Sequence, residues 1–235
     1  MRVKSKHLIA VLIIIIISVI GIPKFVFPHL VSENLQAALE KKFGGDIFVE
    51  VNTKFGWELI AGIFSSIRIV GKDLIFDALT IAEIDLECSN LRINLKKLIQ
   101  DQEFEYYSCE RLLTKLILAE SHLNQYYWAK IDPNKYFKIN ISKEGASLNG
   151  EFHFLDTNWN LDFVGEFNTE GQATVIFNPK ELIILDTRVP KILLELISEH
   201  YVLAIDLSGL PLPVKIDQIE LADEKIILLG SGVVL

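Results

Sequence analysis

The side chains best suited to acid–base or metal chemistry are scattered along this 235-residue sequence. No G-x-S-x-G elbow, P-loop or G-x-G-x-x-G motif occurs, so hydrolase, nucleotidase and dinucleotide-binding functions have no local support. Carboxylate pairs such as Asp156 with Asp162 fall in predicted strands or turns, where a solvated face explains them. We therefore predict no catalytic residue, no metal site, no cofactor and no enzymatic activity. The five histidines, which show no short ligand spacing, are His7, His29, His122, His153 and His200.

The two cysteines, Cys88 and Cys109, do not have a metal-ligand spacing such as C-x-x-C. In an exported protein they could form a disulfide that closes a loop of about 20 residues, worth roughly 3 kcal/mol in the chain-entropy model. The alternative is a pair of separate buried thiols, which behave as small apolar residues. The sequence leaves both possibilities open.

Apolar and polar residues alternate over most of the segment from Phe137 to Phe177. Period-two alternation broken by Gly, Asn and Asp turns indicates antiparallel strands with one buried and one wet face. We predict that the wet face carries Glu151, His153 and Asp162, and that the apolar face lines an interior that could hold lipid tails. The candidate lining residues are Phe137, Ile139, Ile141, Leu148, Phe152, Phe154, Trp159, Leu161 and Phe163, together with Leu196 from a later helix.

Four aromatic residues are candidates for contact with a membrane interface. They are Trp57 and the consecutive Tyr126, Tyr127 and Trp128. Rings with one apolar and one polar edge favour the boundary between lipid and water. The alternative is that each cluster packs an element onto the sheet.

The spacing of apolar residues predicts the elements around this meander. Helical spacing occurs over residues 31–43, 121–132 and 192–201, and strand-like patterns occur between residues 47 and 95, at 112–117 and at 214–229. Residues 101–108 are polar and predict a loop. The expected fold class is α+β: a long, curved antiparallel meander wrapped around two or three helices. We expect residues 29–235 to form a single domain.

The N-terminal 28 residues predict a membrane segment. Arg2, Lys4 and Lys6 precede an apolar run at residues 8–22, an arrangement that places the N-terminus in the cytoplasm and exports the rest. As a helix the run would span about 22 Å, short of a hydrocarbon core of about 30 Å, and residues 23–27 could extend it. No A-x-A cleavage site follows, which favours an uncleaved single-pass anchor. A cleaved signal, giving a secreted protein, is the alternative.

Charge excludes one class of partner. The first 28 residues contain four of the 23 basic residues and none of the 31 acidic ones, so the remainder carries 12 more acidic than basic residues. Such a body repels nucleic-acid phosphates and is not drawn by charge to an anionic membrane. Nucleic acid is therefore excluded as a partner.

Several segments of the second half together form a recognisable pattern: Leu112-Leu113-Thr114-Lys115, Leu123-Asn124-Gln125-Tyr126, residues 139–154 with Gly145 and Gly150, Phe163-Val164-Gly165, residues 205–214 and residues 216–230. With these segments the chain resembles the LmeA family of phospholipid-binding proteins over about residues 112–230, with looser similarity at 62–95. The resemblance implies a bacterial envelope protein that holds phospholipid and has a strongly curved sheet that wraps helices, similar to tubular lipid-binding folds.

We thus expect a membrane-tethered, extracytoplasmic protein of the cell envelope that binds phospholipid or a similar amphiphile, with no protein partner indicated. The alternatives are an envelope enzyme, an accessory subunit supporting a cell-envelope glycosyltransferase, and a non-catalytic scaffold. A pocket that clusters histidines and carboxylates would favour the enzyme. A continuous apolar channel would favour the lipid-binding protein, and a solid interior would favour the scaffold.

Overall fold

A computed structural model describes residues 27–54, 58, 61–154, 157–185, 187–192, 194 and 203–234; for residues 152–154, 157–158 and 233–234 it describes the backbone only. The predicted membrane segment lies almost wholly outside these residues. In the part of the chain that is described, no helix combines the length and the apolarity needed to cross a bilayer.

The described residues include three helices with defined bounds and twelve strands, and residues 58, 191, 192 and 194 are also helical. The helices are α1 (residues 27–43), α2 (Leu95–Asp101) and α3 (Glu120–Lys130). The strands are β1 (Asp46–Asn52), β2 (Ile63–Phe76), β3 (Leu79–Ile93), β4 (Tyr106–Ala119), β5 (Phe137–Ser142), β6 (Gly145–Phe154), β7 (Thr157–Glu170), β8 (Thr174–Ile184), β9 (Thr187–Arg188), β10 (Ala204–Asp206), β11 (Lys215–Ala222) and β12 (Lys225–Val234).

The strands form two sheets in which every pairing is antiparallel. The first has the order β1-β2-β3-β4-β12-β11, and the second has the order β10-β8-β7-β6-β5, with β9 paired to β8. The expected antiparallel α+β architecture is thereby confirmed. The C-terminal hairpin returns to the first sheet beside β4, where Leu228 of β12 lies opposite Leu116. Local alternation does not encode that distant pairing.

Cys88 on β3 and Cys109 on β4 form a disulfide, with a Cα–Cα distance of 6.3 Å. Both residues are fully buried. The structure therefore selects the disulfide over two separate thiols, and the bond joins neighbouring strands of the first sheet.

Helix α1 covers part of the first sheet with the apolar face that its sequence predicts. Val31, Leu35, Leu39 and Phe43 recur at intervals of four and are all buried. The hydroxyl of Ser32 also donates a hydrogen bond to the carbonyl of Val49 on edge strand β1.

The chain around residue 95 differs from its prediction. The strand expected to include Leu95 ends at Ile93, because Asn94 caps α2 by accepting a hydrogen bond from the Lys97 backbone N–H at 3.2 Å. The predicted loop at 101–108 is also shorter, since β4 already begins at Tyr106. Of the predicted helix at 192–201, only residues 192 and 194 are described, and both are helical.

Helix α3 satisfies the backbone groups on the free edge of β5. Asn124 accepts from the Ile139 N–H at 2.7 Å, and its amide donates to the Ile139 carbonyl at 2.9 Å. One turn earlier, Glu120 accepts from the Ile141 N–H at 2.7 Å. These bonds pair donors and acceptors that an edge strand otherwise leaves open.

The same pattern continues one turn later along α3 and just past its end. The Trp128 indole donates to the Phe137 carbonyl at 2.6 Å, and Asp132 accepts from the Phe137 N–H at 2.7 Å. Four helical residues rise about 6 Å and two strand residues about 6.8 Å, so side chains spaced by four reach alternate strand residues. The helix therefore fixes the position of β5 relative to the first sheet.

Candidate functional site

A cleft of about 540 Å³ opens between the C-terminal end of α1 and the segment that joins α2 to β4. Its volume falls within the range of roughly 300–1,000 Å³ typical of small-molecule sites. A loop after β10 forms the third side. The lining residues are Ala38, Leu39, Lys41, Lys42, Phe43, Asp101, Gln102, Glu103, Phe104, Tyr106, Leu210 and Pro211.

The floor of the cleft is continuous with the apolar core of the first sheet. Leu39, Phe43, Leu210 and Pro211 line both the cleft and a second, wholly apolar pocket beneath it. The second pocket has a free volume of only about 10 Å³, close to that of one water-sized sphere. Side chains therefore fill the space beneath the floor. The other residues around it are Ile47, Ile69, Leu74, Phe76, Ile81 and Ile84.

One wall of the cleft is basic. Lys41 and Lys42 are exposed on the last turn of α1, where the helix dipole favours cations. The Lys42 ammonium lies 5.0 Å from the centroid of the Phe43 ring. The helix ends at Gly44 and Gly45, both with positive φ, and a Cβ on Gly45 would come within 2.3 Å of the Lys72 carbonyl oxygen. Glycine is thus required where the chain turns away from the basic wall.

The opposite wall is acidic and carries Asp101 and Glu103. Glu105 holds this segment against α2. Its carboxylate accepts a hydrogen bond from the Asn94 amide at 2.8 Å and pairs with Lys97 at 3.2 Å. The Asn94 hydrogen bond first, and Lys97 second, lower the pKa of Glu105 below its ordinary value. The pKa of Lys97 is correspondingly raised, chiefly by Glu105. These contacts secure α2 and the start of the acidic segment.

The two walls do not neutralise each other by direct contact. Among the described residues, no ion pair joins Lys41 or Lys42 to Asp101 or Glu103. The cleft therefore presents separated positive and negative charges above an apolar floor. Such an arrangement suits an amphiphile with a polar head and a greasy tail.

The family follows from the sequence comparison. The model of the LmeA-like phospholipid-binding family matches residues 24–231, most of the chain. The protein belongs to this family. The match is wider than the resemblance at 112–230 and includes α1 and the whole cleft. No curated protein and no solved structure matches the chain significantly.

In this LmeA-like protein, nine of the ten predicted lining residues lie on β5, β6 and β7 of the second sheet. Five of them, Phe137, Ile139, Ile141, Leu148 and Phe163, are buried, and the rings of Phe137 and Phe163 meet edge-on at 5.7 Å. Two lie nearer the surface: Leu161 is partly buried and Trp159 is 37% exposed. None of these seven lines the cleft.

The side chains of Phe152, Phe154 and Leu196 lie outside the described residues. Contact between lipid and any of the ten candidate lining residues stays a prediction. On the predicted wet face, Glu151 is exposed and Asp162 is half-buried, while the side chain of His153 is among those not described.

The aromatic residues of α3 pack against other parts of the same chain. Tyr127 is fully buried, so its ring has no surface to offer a bilayer. Trp128 is partly buried, with the Lys135 ammonium 5.1 Å from its ring centroid. Tyr126 is also partly buried, and desolvation raises the pKa of its hydroxyl. Trp57 lies outside the described residues. A membrane-interface role for Tyr126, Trp128 and Trp57 stays a prediction.

Sequence reasoning did not identify the cleft. One signal was visible: adjacent lysines at a predicted helix end, followed by Gly44-Gly45. The acidic wall was visible only as a polar loop, and nothing local shows that it faces the lysines. Within the described residues, no group of three His, Cys, Asp or Glu side chains is placed to hold a metal ion.

Proposed function

We propose that the protein binds phospholipid or a similar amphiphile in the cleft, with acyl chains over its apolar floor and the headgroup between its charged walls. The observation that carries the proposal is the continuity between a 540 Å³ cleft and an apolar core in a member of a phospholipid-binding family. The protein acts by binding, and no catalytic step is proposed.

Tail burial supplies most of the affinity in this proposal. Each buried methylene is worth about 0.8 kcal/mol, so a dozen contribute about 10 kcal/mol before the cost of association, which is itself about 4–15 kcal/mol. The acidic excess of the body opposes long-range capture of anionic headgroups. Because side chains fill the pocket beneath the floor, tails occupy the cleft first and move deeper only if those side chains shift.

We further propose that the protein works outside the cytoplasm, tethered to the membrane by its N-terminal segment. The basic-then-apolar start supports export and anchoring. The Cys88–Cys109 disulfide supports an oxidising compartment, because such bonds are rare in the cytosol. The fold in this proposal is of the tubular lipid-binding kind, in which curved sheets wrap the helices, and the packing of α1 on the first sheet supports it.

Native mass spectrometry of the full-length protein released from detergent tests lipid binding. We expect bound phospholipid, with occupancy that falls when dioleoyl chains are replaced by dioctanoyl chains and that holds as salt is raised. Occupancy that collapses with salt and ignores chain length would overturn tail burial as the mechanism.

A pair of aromatic variants places the ligand. Phe104 is half-buried in the cleft wall, whereas Tyr107, three residues later, is exposed outside it. Phe104→Gln should lower lipid occupancy, and Tyr107→Gln should leave it unchanged. Equal occupancy in both variants would place the lipid elsewhere.

A further inference from the structure

We infer that the cleft selects phospholipids whose headgroup carries a cationic amine beside the phosphate, as in a phosphoethanolamine lipid. This inference rests on the proposed function, and it names the class of lipid that the same cleft prefers. It follows from the distribution of charge over the two walls.

The basic wall suits the phosphate. Lys41 and Lys42 are adjacent, exposed and without an ion-pair partner among the described residues. Ammonium groups on flexible stems bind phosphate as point charges from several directions. Leu39 and Phe43 lie beside them on the same helix end and line the floor. A phosphate on this wall therefore leaves the attached acyl chains above apolar side chains.

The acidic wall suits an amine. Asp101 and Glu103 are exposed and likewise have no ion-pair partner among the described residues. Ionised carboxylates only accept hydrogen bonds, and a primary ammonium offers three donors. Lys97, one turn before Asp101 on α2, is engaged by Glu105 at 3.2 Å and influences Asp101 and Glu103 only through weaker, longer-range electrostatics. The wall therefore keeps two negative charges facing the cleft.

The balance of charge separates headgroup classes. Two lysines and two carboxylates line the cleft, so a headgroup with phosphate alone gains from one wall and is repelled by the other. A zwitterionic headgroup gains from both. Exposed ion pairs have the strength to change affinity by about two- to fivefold each. The two walls together thus set selectivity, the lysines add a small contribution to the binding of any phospholipid, and tail burial supplies most of the affinity.

The test uses the full-length protein in detergent and native mass spectrometry with an equimolar mixture of dioleoyl phosphatidylethanolamine and dioleoyl phosphatidylglycerol. We expect the wild type to retain more of the ethanolamine lipid. Asp101→Asn with Glu103→Gln should lower the ratio of bound phosphatidylethanolamine to bound phosphatidylglycerol about two- to fivefold. Lys41→Ala with Lys42→Ala should lower occupancy by both lipids.

Matched controls remove charges outside the cleft. Glu144→Gln with Glu170→Gln changes two exposed carboxylates of the second sheet, one in the turn between β5 and β6 and one at the end of β7. Lys54→Ala with Lys225→Ala changes two exposed lysines. Both control pairs should leave the ratio at the wild-type value. Circular dichroism and the urea midpoint confirm that each variant folds.

The outcomes separate this inference from the function on which it rests. Headgroup selection is overturned if the ratio of the two bound lipids is unchanged in the Asp101 and Glu103 variant, or if it changes equally in the control variant. This holds even if dioleoyl lipid still binds better than dioctanoyl lipid. If neither lipid binds and chain length has no effect, the proposed function itself fails.

Discussion

At the scale of single residues, Asn124 shows how one buried amide can secure a strand. It is 2% exposed, and it bonds both the N–H and the carbonyl of Ile139. Its amide also donates to the Glu120 carbonyl at 3.0 Å within α3. Buried backbone groups that lose their partners are costly, so the side chain is needed to keep the edge of β5 closed.

Replacing Asn124 with alanine should therefore destabilise the protein strongly. Two buried backbone groups of Ile139 lose their partners, which should lower the free energy of unfolding by about 2–4 kcal/mol. Urea denaturation, monitored by circular dichroism, measures this loss of stability.

Asn34→Ala is the matched control for this change. Asn34 also lies in a helix, but it is half-buried, and its one hydrogen bond, to the Leu30 carbonyl at 2.7 Å, is exposed to solvent. Its replacement should change stability by less than about 0.5 kcal/mol. Equal losses in the two variants would contradict the role assigned to α3.

At the scale of elements, the short helix α2 depends on contacts beyond its own seven residues. Asn94 caps it, and Glu105 joins that cap and Lys97 to the start of β4. A helix this short is not stable by itself. Side-chain contacts therefore hold the segment that carries the acidic wall of the cleft.

Acid should weaken this element through Glu105. Because the folded-state pKa of Glu105 lies below its unfolded value of about 4.3, its contribution is complete above that value and is lost as pH falls through the folded pKa. Glu105→Gln should therefore lower stability at pH 7 but change it less at pH 3. Urea midpoints of both proteins at the two pH values test this, and a constant difference would contradict it.

The disulfide between β3 and β4 is a second element-scale constraint. Its two cysteines are 21 residues apart, and closing a loop of that size is worth about 3 kcal/mol in the chain-entropy model. Cys88→Ala with Cys109→Ala should lower the free energy of unfolding by about that amount. Wild type with reductant should behave like the variant, and an unchanged urea midpoint on reduction would contradict the prediction.

At the scale of the whole molecule, the C-terminal hairpin connects the two sheets. Strand β12 pairs with β4 in the first sheet, while the Glu224 N–H in its turn donates to the Ile141 carbonyl of the second at 3.1 Å. Ile216 on β11 also donates to the Gln172 carbonyl at 2.8 Å. One apolar core accordingly includes residues of both sheets.

The tether proposed for the whole molecule has a direct test. If residues 8–22 anchor the chain, the full-length protein should stay with membranes after salt and carbonate washes, because neither removes an inserted apolar helix. Protease added outside intact cells or spheroplasts should then digest the body. A soluble mature chain that begins near His29 would show instead that the segment is a cleaved signal.

The sequence by itself determined the elements whose burial repeats with a regular period. The four-residue spacing from Val31 to Phe43 predicted α1, and alternation predicted the strands around Phe137 and Phe163. Such periods are local, because each residue's face is set by its own helix or strand geometry. The short α2 was missed, since it has only Leu98 fully buried and depends on Asn94 and Glu105.

Only the tertiary structure decided which distant segments meet. Lys41 and Asp101 are sixty positions apart in the numbering, yet both line one cleft. The disulfide and the return of β12 to β4 are likewise contacts between separate elements. The period at which apolar residues recur specifies which face of a helix or strand is buried, but it does not specify which other element packs against that face. The partner is chosen by packing, by hydrogen bonding of strand edges and by charge across the assembled fold.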